Sequence, residues 1–232
     1  MTNSAVSLRG VSKHFGSVAA LDGFDLAVER GTVLGLLGPS GSGKTTALRA
    51  IAGFDRPESG TIEIEGTTVV GEGTWIPPEK RRVGMVFQDY ALFPHLSVWE
   101  NIAFGLKREG ASKERIEERV AEMLRLTRLE KFARRKPHQC SGGQRQRVAL
   151  ARCLTNNPDV ILMDVPLGTL DALTREKMQG LVLKLWKETD KTIVLITHSV
   201  EEALLLGERL VVMAPRPGVI HCESRLPFAD LG

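Results

Sequence analysis

Residues 33–48 read VLGLLGPSGSGKTTAL. The first five are a short apolar run, the pattern of a buried strand. Gly38-Pro39-Ser40-Gly41-Ser42-Gly43-Lys44-Thr45 then matches G-x-x-x-x-G-K-[ST], and Thr46-Ala47-Leu48-Arg49-Ala50-Ile51 continues with helical spacing. Strand, glycine loop and helix in that order are the context in which this motif cradles phosphate. Gly38, Gly41 and Gly43 allow a tight turn whose successive N–H groups point inward at phosphate oxygens. The helix adds the positive end of its dipole. Lys44 is placed to reach the β- and γ-phosphates, and the Thr45 hydroxyl to ligate Mg²⁺. Pro39, Ser40, Ser42 and Thr46 complete the candidate phosphate-binding set. A glycine-rich turn before an ordinary helix is the plainer alternative, and the preceding strand argues against it.

Bulk properties give this motif a globular setting. The 232 residues are 42% hydrophobic and 25% charged, enough for a sizeable core in one or two domains. A net charge of +3 without a dominant basic block argues against nucleic acid as a partner. Cys140, Cys153 and Cys222 cannot all pair within the chain and lack metal-ligand spacing, which suits a reducing compartment. No apolar run approaches the roughly 18 residues of a membrane span. MTNSAVSLRG has neither the charged start nor the apolar core of a secretion signal. The expectation is a soluble cytoplasmic protein.

Around the glycine loop, residues 5–30 read as paired strands in which Phe24, Leu26 and Val28 alternate with polar neighbours. Lys13-His14-Phe15-Gly16 is expected as the loop between them, with Phe15 either a core residue or free to stack on a nucleobase. Ile62 and Ile64 alternate in another strand, followed by a turn at Glu65-Gly66-Thr67-Thr68. Residues 83–87 are a continuous apolar run expected as a central strand. Gln88 then falls either at the ligand-bearing C-terminal edge of an open α/β sheet or on the plain surface.

Residues 89–154 turn helical in character. Ser97-Val98-Trp99-Glu100 is a capping box opening a helix to about Leu106. Ser112 caps another, whose Ile116, Val120, Met123 and Leu124 share a face. The basic cluster of 131–136 suits a solvated face. Cys140-Ser141-Gly142-Gly143-Gln144 precedes the helix RQRVALARCL. Ser141 and the two glycines either leave backbone N–H groups to meet an anion or simply open a capped helix. Residues 160–164 read as a buried strand ending at Asp164, the expected Mg²⁺ partner in a P-loop protein. Leu170-Asp171 lies in a loop before a helix with Met178, Leu181, Val182 and Leu185 on one face. A third buried strand at 192–197 ends at His198, and Ser199-Val200-Glu201-Glu202 is a second capping box opening a helix to about Leu206. Strands follow at 210–213 and, after a turn at Pro215-Arg216-Pro217-Gly218, through Val219 and Ile220.

Together these motifs resemble one family, the ATP-binding subunits of ABC transporters, over nearly the whole chain. The most specific element is Ser141-Gly142-Gly143-Gln144, between the P-loop and the strand ending at Asp164; other P-loop ATPases lack that signature. The resemblance implies ATP and Mg²⁺ as cofactors and an α/β fold. Its P-loop core would be RecA-like, a mixed sheet with an antiparallel β layer, built from 1–90 and 155–232, with a helical subdomain inserted at 91–154. Phe15 would stack on adenine and Gln88 would be the Q-loop residue. Thr45, Gln88 and Asp164 would form the metal set, His198 and Gln88 the catalytic set, and Asp171 the D-loop carboxylate.

The same resemblance implies a head-to-tail dimer with a second ATP-binding subunit. ATP would lie between the P-loop of one chain and the Ser141–Gln144 signature of the other. Transmembrane permease subunits would be reached through Tyr90, Leu92, Phe93 and Pro94, a loop equally suited to internal packing. A solute-binding protein would be an indirect partner. The chain would sit peripherally at the cytoplasmic face of the inner or plasma membrane. It looks like the importer type, with no fused span or added C-terminal domain expected. Residues 77–106 look like subunits for polyamine and ferric-iron uptake, and 173–204 like those for taurine, sulfonate or nitrate.

Three positions depart from the family pattern. Cys140 stands where the signature usually has Leu, and Thr169 where the D-loop commonly has Ala. Val165 stands where the general base, Glu, usually follows Asp164. A valine can neither accept a proton nor orient water, and a positioned base contributes roughly 10²–10⁴-fold. Slow hydrolysis is therefore expected. Val165 fits an inactivated but otherwise complete subunit, the degenerate half of a heterodimer, or a site where His198 or Asp171 shares the work. The function classes left are an ATP-driven uptake subunit and a nucleotide-gated dimerising module. A DNA-repair or translation ATPase would carry coiled-coil inserts or tandem domains.

Overall fold

The computed structural model describes residues 4–164, 172–215 and 217–226. Two long strands, β1 (Ser4–Phe15) and β2 (Val18–Glu29), form a hairpin and lead into β3 (Val33–Leu37) and α1 (Lys44–Ala52). β4 (Ser59–Ile64), β5 (Thr67–Gly71), the two-residue β6 (Thr74–Trp75) and β7 (Val83–Val86) follow. Three helices come next: α2 (Val98–Arg108), α3 (Lys113–Leu126) and α4 (Gly142–Thr155). The chain then alternates through β8 (Val160–Asp164), α5 (Ala172–Thr189), β9 (Thr192–Thr197), α6 (Val200–Leu206), β10 (Arg209–Ala214) and β11 (Val219–Arg225).

The strands build two sheets. One is antiparallel, ordered β2-β1-β4-β5-β6. The other is mixed, ordered β11-β10-β3-β9-β8-β7, with β10, β3, β9, β8 and β7 parallel and β11 antiparallel at one edge. Its central strands β3, β9 and β8 are apolar apart from residues at their ends because both faces are covered. Val33, Ile161, Met163, Ile193 and Leu195 face a cluster shared with α2, α3, α4 and α5. Leu34, Leu36, Val160, Leu162, Val194 and Ile196 face α1 and the antiparallel sheet. This is a P-loop NTPase architecture with a helical insert.

Local caps fall where the side chains predict. Ser97 and Glu100 close a reciprocal capping box on α2, and Ser112 Oγ accepts from Arg115 N on α3. Ile116, Val120, Met123 and Leu124 form the buried face of α3.

Five expectations are corrected. Lys13–Phe15 belong to β1, and only Gly16 and Ser17 make the turn. The turn after β4 is Glu65–Gly66, both at positive φ; such a two-residue hairpin turn leaves Thr67 to pair with Ile64. The 83–87 run is an edge strand ending at Val86, because an apolar run records burial on two faces and not lateral position. Glu202 does not close a box with Ser199, since its carboxylate accepts from the Thr197 hydroxyl instead. The last strand runs on to Arg225, its exposed side chains giving no alternation to read.

Candidate functional site

Four parallel strands deliver the site. Pairing sets Leu37 beside Thr197, Asp164 beside Ile196 and Val86 beside Met163, so these strands end at one edge of the sheet. There β3 passes into the 38–45 loop, β8 ends on Asp164, β9 gives way to His198, and β7 leads to Gln88. Open α/β sheets place ligands at this C-terminal edge.

Gly43 is the N-cap of α1 with φ 83°, and a Cβ there would stand 2.5 Å from the Ala20 carbonyl oxygen. Both the left-handed backbone and the close approach demand glycine. The approach seats the loop on β2, a few residues beyond the hairpin tip that carries Phe15. That ring is 52% exposed, so it is no core residue and offers a face for stacking, with Lys13 Nζ 5.4 Å from its centroid.

Lys44 is buried, and its ammonium donates to the carbonyls of Gly38 (2.8 Å) and Pro39 (2.7 Å) and to Ser42 Oγ (3.0 Å). All three donors are used, which centres a positive charge inside the loop. Burial pulls the Lys44 pKa below the ordinary lysine value, with Asp164 opposing. The Thr45 hydroxyl donates to Asp164 Oδ1 at 3.3 Å. Burial raises the Asp164 carboxyl above the usual aspartate range, opposed by the Thr45 hydrogen bond and by Arg49, His198 and Lys44. A hydroxyl and a carboxylate side by side are hard oxygen donors. They fit Mg²⁺, which takes one or two protein ligands and fills its remaining positions with phosphate oxygens and water.

His198 is exposed at the strand edge. The turn just after it is held by Thr197, whose Oγ1 accepts from Ser199 N (3.0 Å) while its hydroxyl donates to buried Glu202. Burial raises the Glu202 pKa, with the Thr197 hydrogen bond and Arg175 opposing. Gln88 is also exposed, just past β7. Tyr90 (φ 66°) and Ala91 (φ 44°) follow in the left-handed region, at a cost of about 1–2 kcal/mol each.

Ser141 and Gln144 close a capping box on α4: Ser141 Oγ accepts from Gln144 N (3.3 Å), and Gln144 Oε1 from Ser141 N (3.0 Å). Gly142 and Gly143 supply the remaining N–H groups of the opening turn. A Cβ on Gly143 would stand 2.4 Å from Thr174 Cγ2, so the residue lets α4 and α5 approach. Cys140 is buried and sits in the apolar cluster of the helical side. α4 packs against α2, α3, α5 and β7, whereas α1 packs against β2, β7, β8 and β9. The two glycine turns thus stand on different elements.

The structure therefore gathers 38–45, Asp164 and His198 at one edge, brings Gln88 out of the same edge, and sets Ser141–Gln144 on a separate helix. Val165, Thr169, Asp171 and Arg216 lie outside the described residues. In the loop after Gln88, Tyr90 and Leu92 pack on the helical cluster, and Phe93 lies 4.3 Å from Phe104 between ring centroids. All three are half-buried by this internal packing, Tyr90 and Leu92 also line an open cleft, and Pro94 is exposed. Two structural arginines had no signal in the sequence. Arg81 is buried, stacks on Trp75 and donates to the carbonyls of Ala50 (2.7 Å) and Ile51 (2.9 Å), closing the far end of α1. Burial pulls its pKa down to about 10. Arg152 grips the loop after Gln88.

This combination of phosphate loop, strand-end carboxylate and serine-capped glycine turn defines a class, and the comparisons agree. The family model described as ABC transporter matches residues 21–168. The taurine import ATP-binding protein TauB of Jannaschia sp. (strain CCS1) is 55% identical over 99% of this chain and 85% of its own length. The spermidine/putrescine import ATP-binding protein PotA of Nitrosospira multiformis is 50% identical over 90% of this chain and 56% of its own. The dimeric post-hydrolysis structure of the ATP-binding cassette MJ0796, bound to ADP and Pi, superposes with a TM-score of 0.82. It is 37% identical and covers 95% of this chain and 98% of that one. The chain belongs to the ABC transporter family and is of its ATP-binding, ATPase class. Among the described residues, no helix is long and apolar enough to cross a membrane.

Proposed function

We propose that this chain is the ATP-binding subunit of an importer, holding Mg·ATP at residues 38–46. The observation that carries this reading is the cluster of Lys44, Thr45 and Asp164 at the end of β3 and β8. Lys44 turns its ammonium from the loop carbonyls to the β- and γ-phosphate oxygens, and the loop N–H groups cradle the rest. Thr45 and Asp164, with Gln88, would hold Mg²⁺, which when bound would supply charge neutralisation at the phosphates. Phe15 stacks on the base. His198 and Gln88 orient groups at the γ-phosphate. Asp171, as the D-loop carboxylate, would belong to the nucleotide site, which Ser141, Gly142, Gly143 and Gln144 of a second copy of the chain complete.

The partner readings have separate supports. A dimeric relative with ADP and Pi favours the second copy. A cleft of about 330 Å³ lined by Asp89, Tyr90, Leu92, Pro137, His138 and Arg145 suits a permease segment docking beside the Gln88 loop. Residues 91–154 act as a helical subdomain between the core segments 1–90 and 155–232, supported by the apolar cluster that α2, α3 and α4 share. The chain works peripherally at the cytoplasmic membrane face, with a solute-binding protein delivering cargo to the permease. Identity is higher to the taurine import relative than to the polyamine one, which favours a small sulfonate as cargo.

Hydrolysis is slow because Val165 leaves no base after Asp164. That same residue favours a second reading: a nucleotide-gated dimerising module, or the degenerate half of a heterodimer, with little turnover of its own. Lys44→Ala tests the nucleotide site itself. Loss of tight binding of a fluorescent ATP analogue is expected, and unchanged affinity would contradict the assignment.

A further inference from the structure

We propose that Arg152 is a positioning residue that fixes the Gln88 loop to the helix opened by Ser141–Gln144, so that both move together as the site closes. The inference rests on the function proposed above. Arg152 lies in the last turn of α4, and its guanidinium forks onto the loop: Nη1 donates to Ala91 O (2.6 Å) and Nη2 to Tyr90 O (3.1 Å). Those are the two left-handed residues after Gln88. Consecutive non-glycine residues persist there only where their surroundings over-determine them, and a planar two-carbonyl grip does so.

The grip extends along both partners. Arg152 sits 5.5 Å from the Phe93 ring centroid, and Arg145, two turns earlier on α4, lies 6.0 Å from the Tyr90 ring. On the other side, Asn101 of α2 is fully buried. Its Oδ1 accepts from Phe93 N (2.9 Å), and its Nδ2 donates to the carbonyls of Phe93 (3.2 Å), Leu96 (3.2 Å) and Ser97 (2.9 Å). The loop that begins at Gln88 is therefore tied to α4 and α2, while β7 ties Gln88 itself to the sheet. A displacement of α4 that carries the signature turn pulls the Gln88 loop with it. None of these contacts touches residues 38–45, so nucleotide affinity in the open chain does not depend on Arg152.

Arg152→Ala and Arg152→Lys in the full chain test this, with Lys44→Ala as the control for the nucleotide site. The expected result is unchanged affinity for a fluorescent ATP analogue in both Arg152 variants. ATP-dependent dimerisation, measured by size exclusion, should weaken roughly 10-fold in Arg152→Ala, the scale of losing charge-assisted bonds, and less in Arg152→Lys. In the Val165→Glu background, kcat should fall while KM for ATP holds. A dimer and kcat equal to the parent's, or affinity falling in step with Tm, would overturn the proposal. If Arg152→Ala does not fold, Arg152→Lys decides: it keeps charge and stem but cannot fork, and parental behaviour overturns the proposal. Unchanged binding in Lys44→Ala would instead sink the functional reading.

Discussion

The Thr45 hydroxyl donates to Asp164 Oδ1 at 3.3 Å, joining the glycine loop to the end of β8 across 119 positions of sequence. The bond stabilises a carboxylate that burial disfavours, in the place where a hard cation would meet both oxygens.

Asp164→Asn separates the two roles of that carboxylate. Its folded pKa is raised above the unfolded value near 3.8, so the charged form lowers stability above that value. The cost is relieved as pH falls through the folded pKa. Without nucleotide at neutral pH, the Asn variant should melt higher than the parent, since it carries no charge for burial to disfavour. It should also lose the Mg²⁺ dependence of ATP binding. In the parent, Mg·ATP affinity should decline as pH falls through the raised pKa. Calorimetry at two pH values checks both, and a lower Tm for the Asn variant would refute the electrostatic account.

Gly143→Ala reads the α4–α5 contact. In an open helix this change stabilises by up to about 1 kcal/mol. Here the new Cβ meets Thr174 Cγ2, so stability should fall, and Thr174→Ser, which removes that methyl, should recover most of the loss. Denaturant midpoints of the four combinations decide. A stabilised single variant would mean the helices stand farther apart.

Thiol labelling tests the burial pattern. Cys222 is exposed, while Cys140 and Cys153 are buried, with burial raising the Cys140 thiol and pushing Cys153 up to about 12. One thiol should react quickly in the native chain and all three in denaturant. Rapid native labelling of a second cysteine would contradict the packing of α4 at Cys153 or of the turn before it at Cys140.

The site was legible where chemistry needs a residue type at a fixed spacing. The glycine loop, Asp164 at a strand end and the Ser141 cap declare themselves by local pattern. Positions set by distant carbonyls did not. Arg81 and Arg152 bond to backbone oxygens at separations no periodicity encodes. The edge placement of β7 was hidden because its run is apolar on both faces, with Gly84 and Val86 buried and Val83 and Met85 half-buried, and β6 is too short to alternate. Glu202 sits three residues after Ser199 as a capping box requires, yet the nearby Thr197 hydroxyl draws its carboxylate away.

Position 165 gives the most direct test of the whole account, a nucleotide site complete but for its base. Phosphate release is measured for the native chain and for Val165→Glu, with Mg·ATP and with the permease present if the chain alone is silent. The account predicts slow release from the native chain and a rise of roughly 10²–10⁴-fold on introducing the carboxylate. Brisk hydrolysis by the native chain, or no gain from Glu where ATP still binds, would contradict it.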